Sequence, residues 1–260
     1  MTARIVIPAR MASTRFPGKP LAQVAGMTMI ERVWRIASAV QEIDQVLIAT
    51  DDCELAASVE EFGATVVMTS KDCRNGTERV AEACQDLSGE DSIVCNLQGD
   101  AVLTPPWVIS RLLEAISSDT SIHIATPAVK LEGASKSDFL KAKRAGSSSG
   151  TCVTFDKQGS ALYFSKALIP YDRSGEGDAD VFQHIGLYAY RADALHRFVS
   201  LPAGNFELIE QLEQLRALEY GIAIKVVQID YRGRTPASID LPEDVAYVEN
   251  LIEREGELVF

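Results

Sequence analysis

The stretch Arg4-Ile-Val-Ile-Pro-Ala-Arg10-Met-Ala-Ser-Thr-Arg-Phe-Pro-Gly18-Lys19-Pro20 decides the fold of this chain. Its apolar run at residues 5–7 predicts a buried first strand, and a loop with three cations, two hydroxyls and a glycine follows. Such a loop can turn backbone N–H groups toward an anion, while arginine and lysine heads neutralise the anion's charge. Neither the Walker A pattern nor the glycine pattern of dinucleotide-binding folds is present. The stretch therefore predicts a polyphosphate-binding loop of another kind.

The composition is that of a globular protein able to bury a substantial core, with 260 residues, 47% hydrophobic and 24% charged. A net charge of −12 argues against broad nucleic-acid binding, which usually shows a basic stripe. No apolar stretch approaches the roughly 20 residues of a membrane span, and the first residues do not resemble a signal peptide. Five cysteines without a C-x-x-C pair favour reduced thiols. We therefore expect a cytoplasmic protein that binds neither nucleic acid nor membrane.

Apolar runs alternate with amphipathic segments through the first half of the chain. The predicted strands lie at 4–7, 45–50, 64–68, 92–97 and 122–128. The predicted helices lie at 28–39, 53–62, 77–87 and 105–116. This alternation predicts βαβ units in an α/β fold with a mainly parallel sheet.

Polar clusters follow four of these strands. They are the cation loop and residues 50–52, 69–70 and 98–100. Ligands of open α/β sheets bind at the carboxyl ends of the strands, so four clusters at such ends predict one binding cleft.

The pattern changes after about residue 130. Residues 134–150 are rich in Ser, Lys and Gly and predict a mobile surface segment. Beyond them we predict strands at 152–155, 161–164, 184–190 and 223–229, a helix at 206–220, and a last helix with Pro242 in its first turn. No repeat and no long linker divides the chain. We predict a single domain, 1–260, with a nucleotide-binding part at 1–130 and a second part at 151–222.

Asp100 is a candidate metal ligand. The usual role of a carboxylate at a strand end is to cap the next helix, but that helix is predicted to begin several residues later, near Pro105. Mg²⁺ takes one or two carboxylates plus phosphate oxygens, and Asp240 would supply the second carboxylate if the fold brings the two together.

For two other candidates, the residues alone favour a structural interpretation over the functional one. Arg79 follows a turn and a helix start at 75–78, and it could either stabilise the fold or contact a nucleotide. His184 lies in a predicted strand, where a single histidine is more often structural than catalytic. No Ser/His/Asp order and no zinc-ligand spacing stands out.

The chain resembles the CMP-KDO synthetases, the 3-deoxy-manno-octulosonate cytidylyltransferases, over nearly its whole length. The motifs that carry the resemblance are Ile7-Pro-Ala-Arg10-Met-Ala-Ser13-Thr-Arg15-Phe-Pro-Gly-Lys19-Pro, Ala49-Thr-Asp-Asp52, Met68-Thr, Gly76-Thr-Glu-Arg79, Asn96-Leu-Gln98-Gly-Asp100, Ala161-Leu-Tyr-Phe-Ser165, Ile169-Pro, His184-Ile-Gly-Leu-Tyr188, Leu212-Glu-Gln-Leu-Arg216 and Asp240-Leu-Pro-Glu-Asp244. The resemblance implies a Rossmann-like nucleotidyltransferase fold with a small inserted part for acceptor binding and dimerisation. It also implies transfer of a cytidylyl group from CTP to an acidic sugar, with pyrophosphate released.

The resemblance also implies roles for individual residues. Lys19, Arg10 and Asp100 would be catalytic, with Lys19 stabilising charge on the separating phosphates. The nucleotide would be bound by Arg10, Ser13, Arg15, Lys19, Arg79 and Asp100. The acceptor would be bound by Gln98, His184, Tyr188, Glu213 and Gln214. Asp100 and Asp240 would hold Mg²⁺, and the protein would be a homodimer. A KDO product would serve lipopolysaccharide assembly.

Three stretches depart from the family pattern, all on the expected acceptor side. Ala101-Val102 stands where the family usually has Glu-Pro, and Thr151-Cys152-Val153-Thr154 where Val-Lys-Val-Val is common. The segment 141–150 lacks the expected Asn-Pro stretch. The acceptor could therefore be KDO, a modified octulosonate, another ulosonic acid or a phosphonate. A nucleotide-binding paralogue without turnover is the alternative from another class of protein, although retention of Lys19, Asp100 and Asp240 argues against it.

Overall fold

The computed structural model describes residues 2–13, 15–89, 91–174 and 179–259. Its strands are β1 (Thr2–Pro8), β2 (Gln23–Val24), β3 (Met27–Thr28), β4 (Gln45–Thr50), β5 (Thr65–Met68), β6 (Ser92–Leu97), β7 (Ile124–Lys130), β8 (Thr151–Phe155), β9 (Ala161–Ser165), β10 (Phe182–His184), β11 (Leu187–Arg191) and β12 (Lys225–Gln228). Its α-helices are α1 (Met29–Ser38), α2 (Cys53–Glu60), α3 (Gly76–Ala83), α4 (Pro106–Ser118), α5 (Gly133–Arg144), α6 (Ala192–Ser200), α7 (Asn205–Glu210), α8 (Gln214–Glu219) and α9 (Asp244–Glu255).

Strand β1 is an interior strand, because both of its edges are paired. It runs parallel to β4 on one side and to β6 on the other, and β5 extends this half of the sheet beyond β4. The carboxyl ends of the four parallel strands therefore lie at one edge of the sheet. The predicted α/β fold, with parallel strands in this half of the sheet, is confirmed.

The other half of the same sheet is mostly antiparallel. Beyond β6 the order is β11, β7, β10, β8 and β9, while β12 runs parallel to β7. Both predicted parts, 1–130 and 151–222, therefore contribute strands to one sheet.

The single strand predicted at 184–190 is interrupted by a bulge. His184 pairs with Ala128 and Tyr190 pairs with Ile124. The seven residues 184–190 therefore oppose the five residues 124–128 of β7, and the two extra residues are accommodated at 185–186. A bulge of this kind bends a strand and redirects its side chains.

Side chains alternate between the two faces of the sheet, as the period of two requires. Ile5 and Ile7 pack with α1, α2, α4 and α9 on one face. Val6 packs with α3, α6 and α8 on the other face. The molecule thus has three layers, with the mixed sheet between two layers of helices.

Two predicted elements differ from the structure. Helix α5 occupies most of the segment predicted to be a mobile surface segment. The last turn of the helix carries three cations, which complement the helix dipole. Phe139 packs on a small cluster around Cys152. The helix predicted at 206–220 is two helices, separated where Gln211 adopts a left-handed φ of 54°. The carboxylate of Glu219 then accepts hydrogen bonds from the N-terminus of α7, at the amides of Asn205 and Phe206.

None of the helices in the described ranges is long and apolar enough to cross a membrane. All five cysteines are free thiols, and three of them, Cys84, Cys95 and Cys152, are buried.

Candidate functional site

A cleft of about 290 Å³ lies at the carboxyl edge of the parallel strands. It is lined by Pro8, Ala9, Arg10, Ser13, Arg15, Lys19, Pro20, Met29, Cys73, Arg74, Asn75, Gly76, Arg79, Gln98, Gly99 and Asp100. The cation loop after β1 and the polar residues after β6 thus meet in one cavity, whereas the other two predicted clusters, 50–52 and 69–70, do not line it. All six residues expected to bind a nucleotide contribute to its wall.

Lys19 lies close to both of the carboxylates that were predicted to hold a metal. Its ammonium donates a hydrogen bond of 2.7 Å to Asp100 Oδ2 and lies 4.0 Å from Asp240 Oδ1. Arg15 pairs with the same Asp240 oxygen at 3.1 Å. Asp100 and Asp240 are 140 positions apart in the sequence, and the fold brings both to one lysine.

The loop that carries Lys19 is shaped by a glycine. Gly18 has a left-handed φ of 69°, which residues with a side chain rarely adopt, and it begins a short 3₁₀ helix at Lys19–Leu21. The Gly18 amide donates to the Met11 carbonyl, and the Phe16 amide donates to Ser13 Oγ. These bonds fold the loop back, so that Lys19 faces the end of β6. Thr14, one of the two hydroxyls noted in the loop, lies outside the described residues.

Two further glycines allow the strand ends to approach one another. A Cβ on Gly99 would lie 3.0 Å from the carbonyl oxygen of Pro8, and a Cβ on Gly76 would lie 3.1 Å from Gln98 Oε1. Both contacts are tighter than a side chain normally tolerates. The N-terminus of α3 therefore packs directly against the ends of β1 and β6.

Arg79 is held between the ends of β4 and β5. Its guanidinium is 3% exposed, pairs with Asp51 at 3.1 Å and donates a hydrogen bond to Thr69 Oγ1. Because a buried arginine without its partner would be costly, these contacts support the structural interpretation. Arg79 also lines the cleft, so the two interpretations are compatible.

The loop that carries Asp240 is fixed by Asp244. Asp244 Oδ2 accepts hydrogen bonds of 2.8 Å from the amides of both Asp240 and Leu241. Pro242 accordingly lies in the turn before α9 and not in its first turn. The Ile239 amide donates to the Asp100 carbonyl at 3.4 Å, which joins the two carboxylate-bearing loops.

The donors near Lys19 have the chemistry that a hard cation requires. Asp100 and Asp240 offer carboxylate oxygens, and the phosphates of a nucleotide would supply the remaining ligands. Within the described residues, no group of three or more His, Cys, Asp or Glu could hold a metal by itself. The residues therefore fit a metal–nucleotide complex better than a metal bound by protein alone.

Glu213 and Gln214 lie at the junction of α7 and α8. Glu213 Oε2 accepts a hydrogen bond of 2.9 Å from Thr77 Oγ1, and burial raises the pKa of this carboxyl. Glu213 Oε1 and Gln214 Nε2 are buried and have no hydrogen-bond partner in the described part of the chain. Buried polar atoms normally have partners, so two such atoms on adjacent residues indicate a ligand that supplies them.

His184 is buried deeply in β10. Its Nε2 lies 2.9 Å from Thr126 Oγ1, whose own proton goes to the Leu187 carbonyl at 2.8 Å. Burial lowers the pKa of His184 to about 3. The imidazole therefore stays neutral at physiological pH and supports the packing of the neighbouring Tyr188 ring, whose centroid is 5.5 Å away.

Tyr188 follows the bulge on β11 and is half-buried. Burial raises the pKa of its phenol, so the hydroxyl remains protonated and can act as a hydrogen-bond donor. Among the predicted acceptor residues, Gln98 follows β6 and lines the cleft, whereas those in β10, in β11 and at the α7–α8 junction are not part of its lining.

Cys73 lines the cleft but is not a nucleophile. Its thiol is hydrogen-bonded to Glu82 Oε2 at 3.1 Å, and burial raises its pKa to about 11. A thiol that stays protonated at neutral pH does not attack phosphorus or carbonyl carbon.

Two of the three stretches that depart from the family pattern include core residues, whereas 141–150 has no buried residue. Val102 is fully buried and Ala101 packs against the core under the sheet. Cys152 is fully buried beside Leu131 and Val181. None of the three lines the cleft, so these departures change packing and not the lining of the site.

Several residues that organise the site lie in the motifs quoted above but had no predicted role of their own. Asp51 pairs with Arg79, Asp244 holds the Asp240 loop, and Arg216 pairs with Glu207 beside Glu213. One signal was available: Asn96 is a polar residue inside the apolar run of β6, where a buried amide must have specific partners. The other three sit in polar surroundings that give no such signal.

Comparison with known proteins places this geometry in a family. A family model described as cytidylyltransferase matches residues 4–226. A 3-deoxy-manno-octulosonate cytidylyltransferase of Maricaulis maris is 52% identical over 259 residues and covers 100% of both chains. A protein of the same description from Myxococcus xanthus is 42% identical over 251 residues, with 96% of each chain covered.

Solved structures agree with these relatives. A CMP:2-keto-3-deoxy-manno-octonic acid synthetase complexed with CTP superposes with a TM-score of 0.87 at 34% identity, covering 98% of this chain and 100% of that one. A 4-diphosphocytidyl-2C-methyl-D-erythritol synthase has a TM-score of 0.62 at 16% identity, which reflects a shared fold alone.

The burial of His184 leads to a prediction about its titration. We expect its imidazole C–H resonances in NMR spectra to stay constant between about pH 8 and about pH 5, because the protonated ring would lose its solvation. The variant His184→Asn identifies the resonances by their loss. Movement of these signals with a midpoint near 6.5, the ordinary value of a histidine, would contradict the neutral, structural assignment.

Proposed function

The chain belongs to the 3-deoxy-manno-octulosonate cytidylyltransferases, and we propose that it transfers the cytidylyl group of CTP to KDO, giving CMP-KDO and pyrophosphate. The observation that carries the proposal is the cleft in which Lys19, Asp100 and Asp240 meet at the end of β1. The enzyme class, a nucleotidyltransferase, follows from the family itself.

The wall of the cleft supports a triphosphate as the first ligand. Arg10, Arg15 and Lys19 bring three cations to a molecule whose net charge is −12. Ser13 adds a hydroxyl beside them. Arginine forks and a lysine point charge suit phosphate oxygens, and the solved relative in complex with CTP has the same fold.

KDO as the acceptor is supported by the relatives and by the acceptor side of the site. Glu213 Oε1 is a buried acceptor and Gln214 Nε2 is a buried donor, and neither has a hydrogen-bond partner among the described residues. The hydroxyl groups of a polyhydroxylated acid can donate to the first and accept from the second. Val102 and Cys152 are core residues, so the departures at these two positions give no support to a modified octulosonate, another ulosonic acid or a phosphonate.

In the proposed reaction, the anomeric 2-hydroxyl oxygen of the sugar bonds to the α-phosphorus of CTP. The bond from that phosphorus to the oxygen shared with the β-phosphate breaks, pyrophosphate leaves, and the hydroxyl proton is lost to solvent. The protein has little covalent chemistry to perform, so its work is alignment and charge neutralisation. Lys19 would stabilise the charge that grows on the departing phosphates.

Asp100 and Asp240 would hold Mg²⁺ in this complex. When bound, the metal would neutralise phosphate charge and lower the pKa of the attacking hydroxyl. The contribution of the chain is to keep both carboxylates beside Lys19, with Asp244 fixing the backbone of the Asp240 loop. The five free thiols agree with the reducing cytoplasm, where CTP is available.

Removal of the Lys19 charge tests the proposed function. We expect wild-type protein to release pyrophosphate only when CTP, Mg²⁺ and KDO are all present. Lys19→Met should lower kcat by about 100- to 1,000-fold, because one preorganised charge on the separating phosphates is lost. Pyrophosphate release is measured with a coupled assay.

Lys157→Met is the matched control, since Lys157 lies on an exposed turn away from the cleft, and it should keep wild-type activity. CTP binding by wild-type protein without release across a panel of sugar acids and phosphonates would refute the proposal in favour of a non-catalytic nucleotide-binding protein. Release with another acid alone would refute KDO as the substrate.

The metal assignment has its own test. Asp240→Asn keeps the size of the side chain and removes its charge, so the Mg²⁺ concentration for half-maximal activity should rise by at least about tenfold. Activity is titrated with Mg²⁺ at saturating CTP and KDO. Asp138→Asn on the exposed face of α5 serves as control. An unchanged Mg²⁺ requirement in Asp240→Asn would remove this residue from the metal site.

The protein is also proposed to be a homodimer. Leu208 and Ile209 on α7 are 67% and 71% exposed, and Leu162 on the edge strand β9 is 62% exposed. Exposed apolar side chains and an open strand edge are costly in a monomer, and a second copy of the chain would cover them. They lie within the part at 151–222 predicted to form the dimer.

Introduction of a charge on α7 tests this assembly. Wild-type protein should have twice the chain mass of 28.3 kDa in light scattering. Ile209→Glu should shift the population toward the monomer, since a buried unpaired carboxylate destabilises an interface. Tyr247→Glu, on the exposed face of α9, should leave the mass unchanged. A monomeric wild-type protein would exclude the dimer.

A further inference from the structure

Four side chains form a continuous line of hydrogen bonds beneath the acceptor side of the cleft. Gln98 Nε2 donates to Asn96 Oδ1 at 2.9 Å. Asn96 Nδ2 donates to Thr77 Oγ1 at 3.1 Å. Thr77 Oγ1 donates to Glu213 Oε2 at 2.9 Å. The line joins β6, the first turn of α3 and the α7–α8 junction.

The direction of the line follows from proton counting. A threonine hydroxyl has one proton, and a carboxylate accepts but does not donate. With Glu213 ionised, the Thr77 hydroxyl therefore donates its hydrogen bond to Glu213 Oε2, and its oxygen accepts from the Asn96 amide. Asn96 must then present its carbonyl to Gln98, so the Gln98 amide nitrogen points inward.

In this arrangement Gln98 contributes its Nε2 atom to the line of hydrogen bonds, and its Oε1 atom takes no part in it. It packs next to Gly76, where a Cβ would lie 3.1 Å away. The cleft thus receives a hydrogen-bond acceptor from Gln98, which suits a sugar hydroxyl.

The two inner members of the line are shielded from water. Asn96 is 0% exposed and Thr77 is 2% exposed. Hydrogen bonds in such surroundings are stronger than at the surface, and a broken one is not replaced by solvent. The outer members, Gln98 and Glu213, are partly exposed and can meet a ligand.

We propose that Thr77 and Asn96 are positioning residues that fix two acceptor-binding groups, the Gln98 amide and the Glu213 carboxylate, in one mutually dependent orientation. The inference rests on the proposed function, because it assumes an acid acceptor on this side of the cleft. It adds that the two groups act as a unit, although 115 positions separate them in the sequence.

Loss of this line of hydrogen bonds should weaken binding of the acid acceptor more than binding of CTP. Glu213 Oε1 accepts no hydrogen bond and has only the Arg216 guanidinium at 4.0 Å, so without Thr77 the carboxylate would keep no hydrogen bond from the described residues. Lys19, Arg79 and Asp100 have separate partners outside the line. The nucleotide side should therefore keep its geometry.

The experiment removes the Thr77 hydroxyl at constant shape. Thr77→Val should raise KM for the acid acceptor by about tenfold or more, because a hydrogen bond to a buried charged group is lost. KM for CTP should change by less than about twofold, since its contacts are untouched. Thr77→Ser restores the hydroxyl and should return KM for the acceptor to within about threefold of wild type. Thr104→Val, at a buried threonine outside the line, is the control for packing.

Circular dichroism and calorimetric CTP binding show whether each variant is folded. If Thr77→Val does not fold, Thr77→Ala carries the same measurement. An unchanged KM for the acceptor, equal increases in both KM values, or failure of Thr77→Ser to restore the acceptor KM would each overturn the positioning role. All variants are assayed with whichever acid of the panel supports release by wild-type protein. Absence of release from wild type with every acid would refute the proposed function and this inference together, whereas an active wild type with unaltered variants refutes the inference alone.

Discussion

The contact between Lys19 and Asp100 is the constraint on which the site depends. Its 2.7 Å length requires the residues after β1 and β6 to meet, which they do only because the two strands are parallel neighbours. Gly99 removes the side chain that would otherwise collide with the Pro8 carbonyl. The third participant, Asp240, arrives from the far end of the chain because α9 packs on the same face as α1 and α4. The hydrogen bond between Lys19 and Asp100 and its neighbour Asp240 thus depend on strand order, on turn geometry and on helix packing.

The nucleotide side of the site was predictable because its causes are local in sequence. Each parallel strand is a short apolar run, and each is followed at once by its polar cluster. The topology of a parallel sheet then brings such ends to one edge without further information. Even so, the role of Arg79 could not be decided, because its partners Asp51 and Thr69 follow two other strands.

The acceptor side depends on contacts that no local pattern encodes. The bulge at 185–186 and the left-handed Gln211 are imposed by pairing and packing with distant segments. Thr77 and Glu213 are 136 positions apart, and only the folded chain shows that the Thr77 hydroxyl donates a hydrogen bond to the Glu213 carboxylate. The departures at Val102 and Cys152 looked like changes of specificity because they flank binding motifs. Both are buried and neither lines the cleft, so a position beside a motif in the sequence is not by itself a position in the site.

The charges in the cleft suit the proposed metal–nucleotide complex better than either component alone. Arg15 and Lys19 are cations, Asp100 and Asp240 are anions, and the four are already paired with one another. A free nucleotide would bring phosphates near two carboxylates, and a free cation would have to compete with two fixed cations. A complex of Mg²⁺ and CTP offers the carboxylates a cation and the arginine and lysine an anion at the same moment. Exchange of internal ion pairs for equivalent external ones keeps the electrostatic cost low, since no charge is left without a partner. In the structure, each of these four side chains is thus already paired with a group that carries the same charge as the ligand group it is proposed to bind.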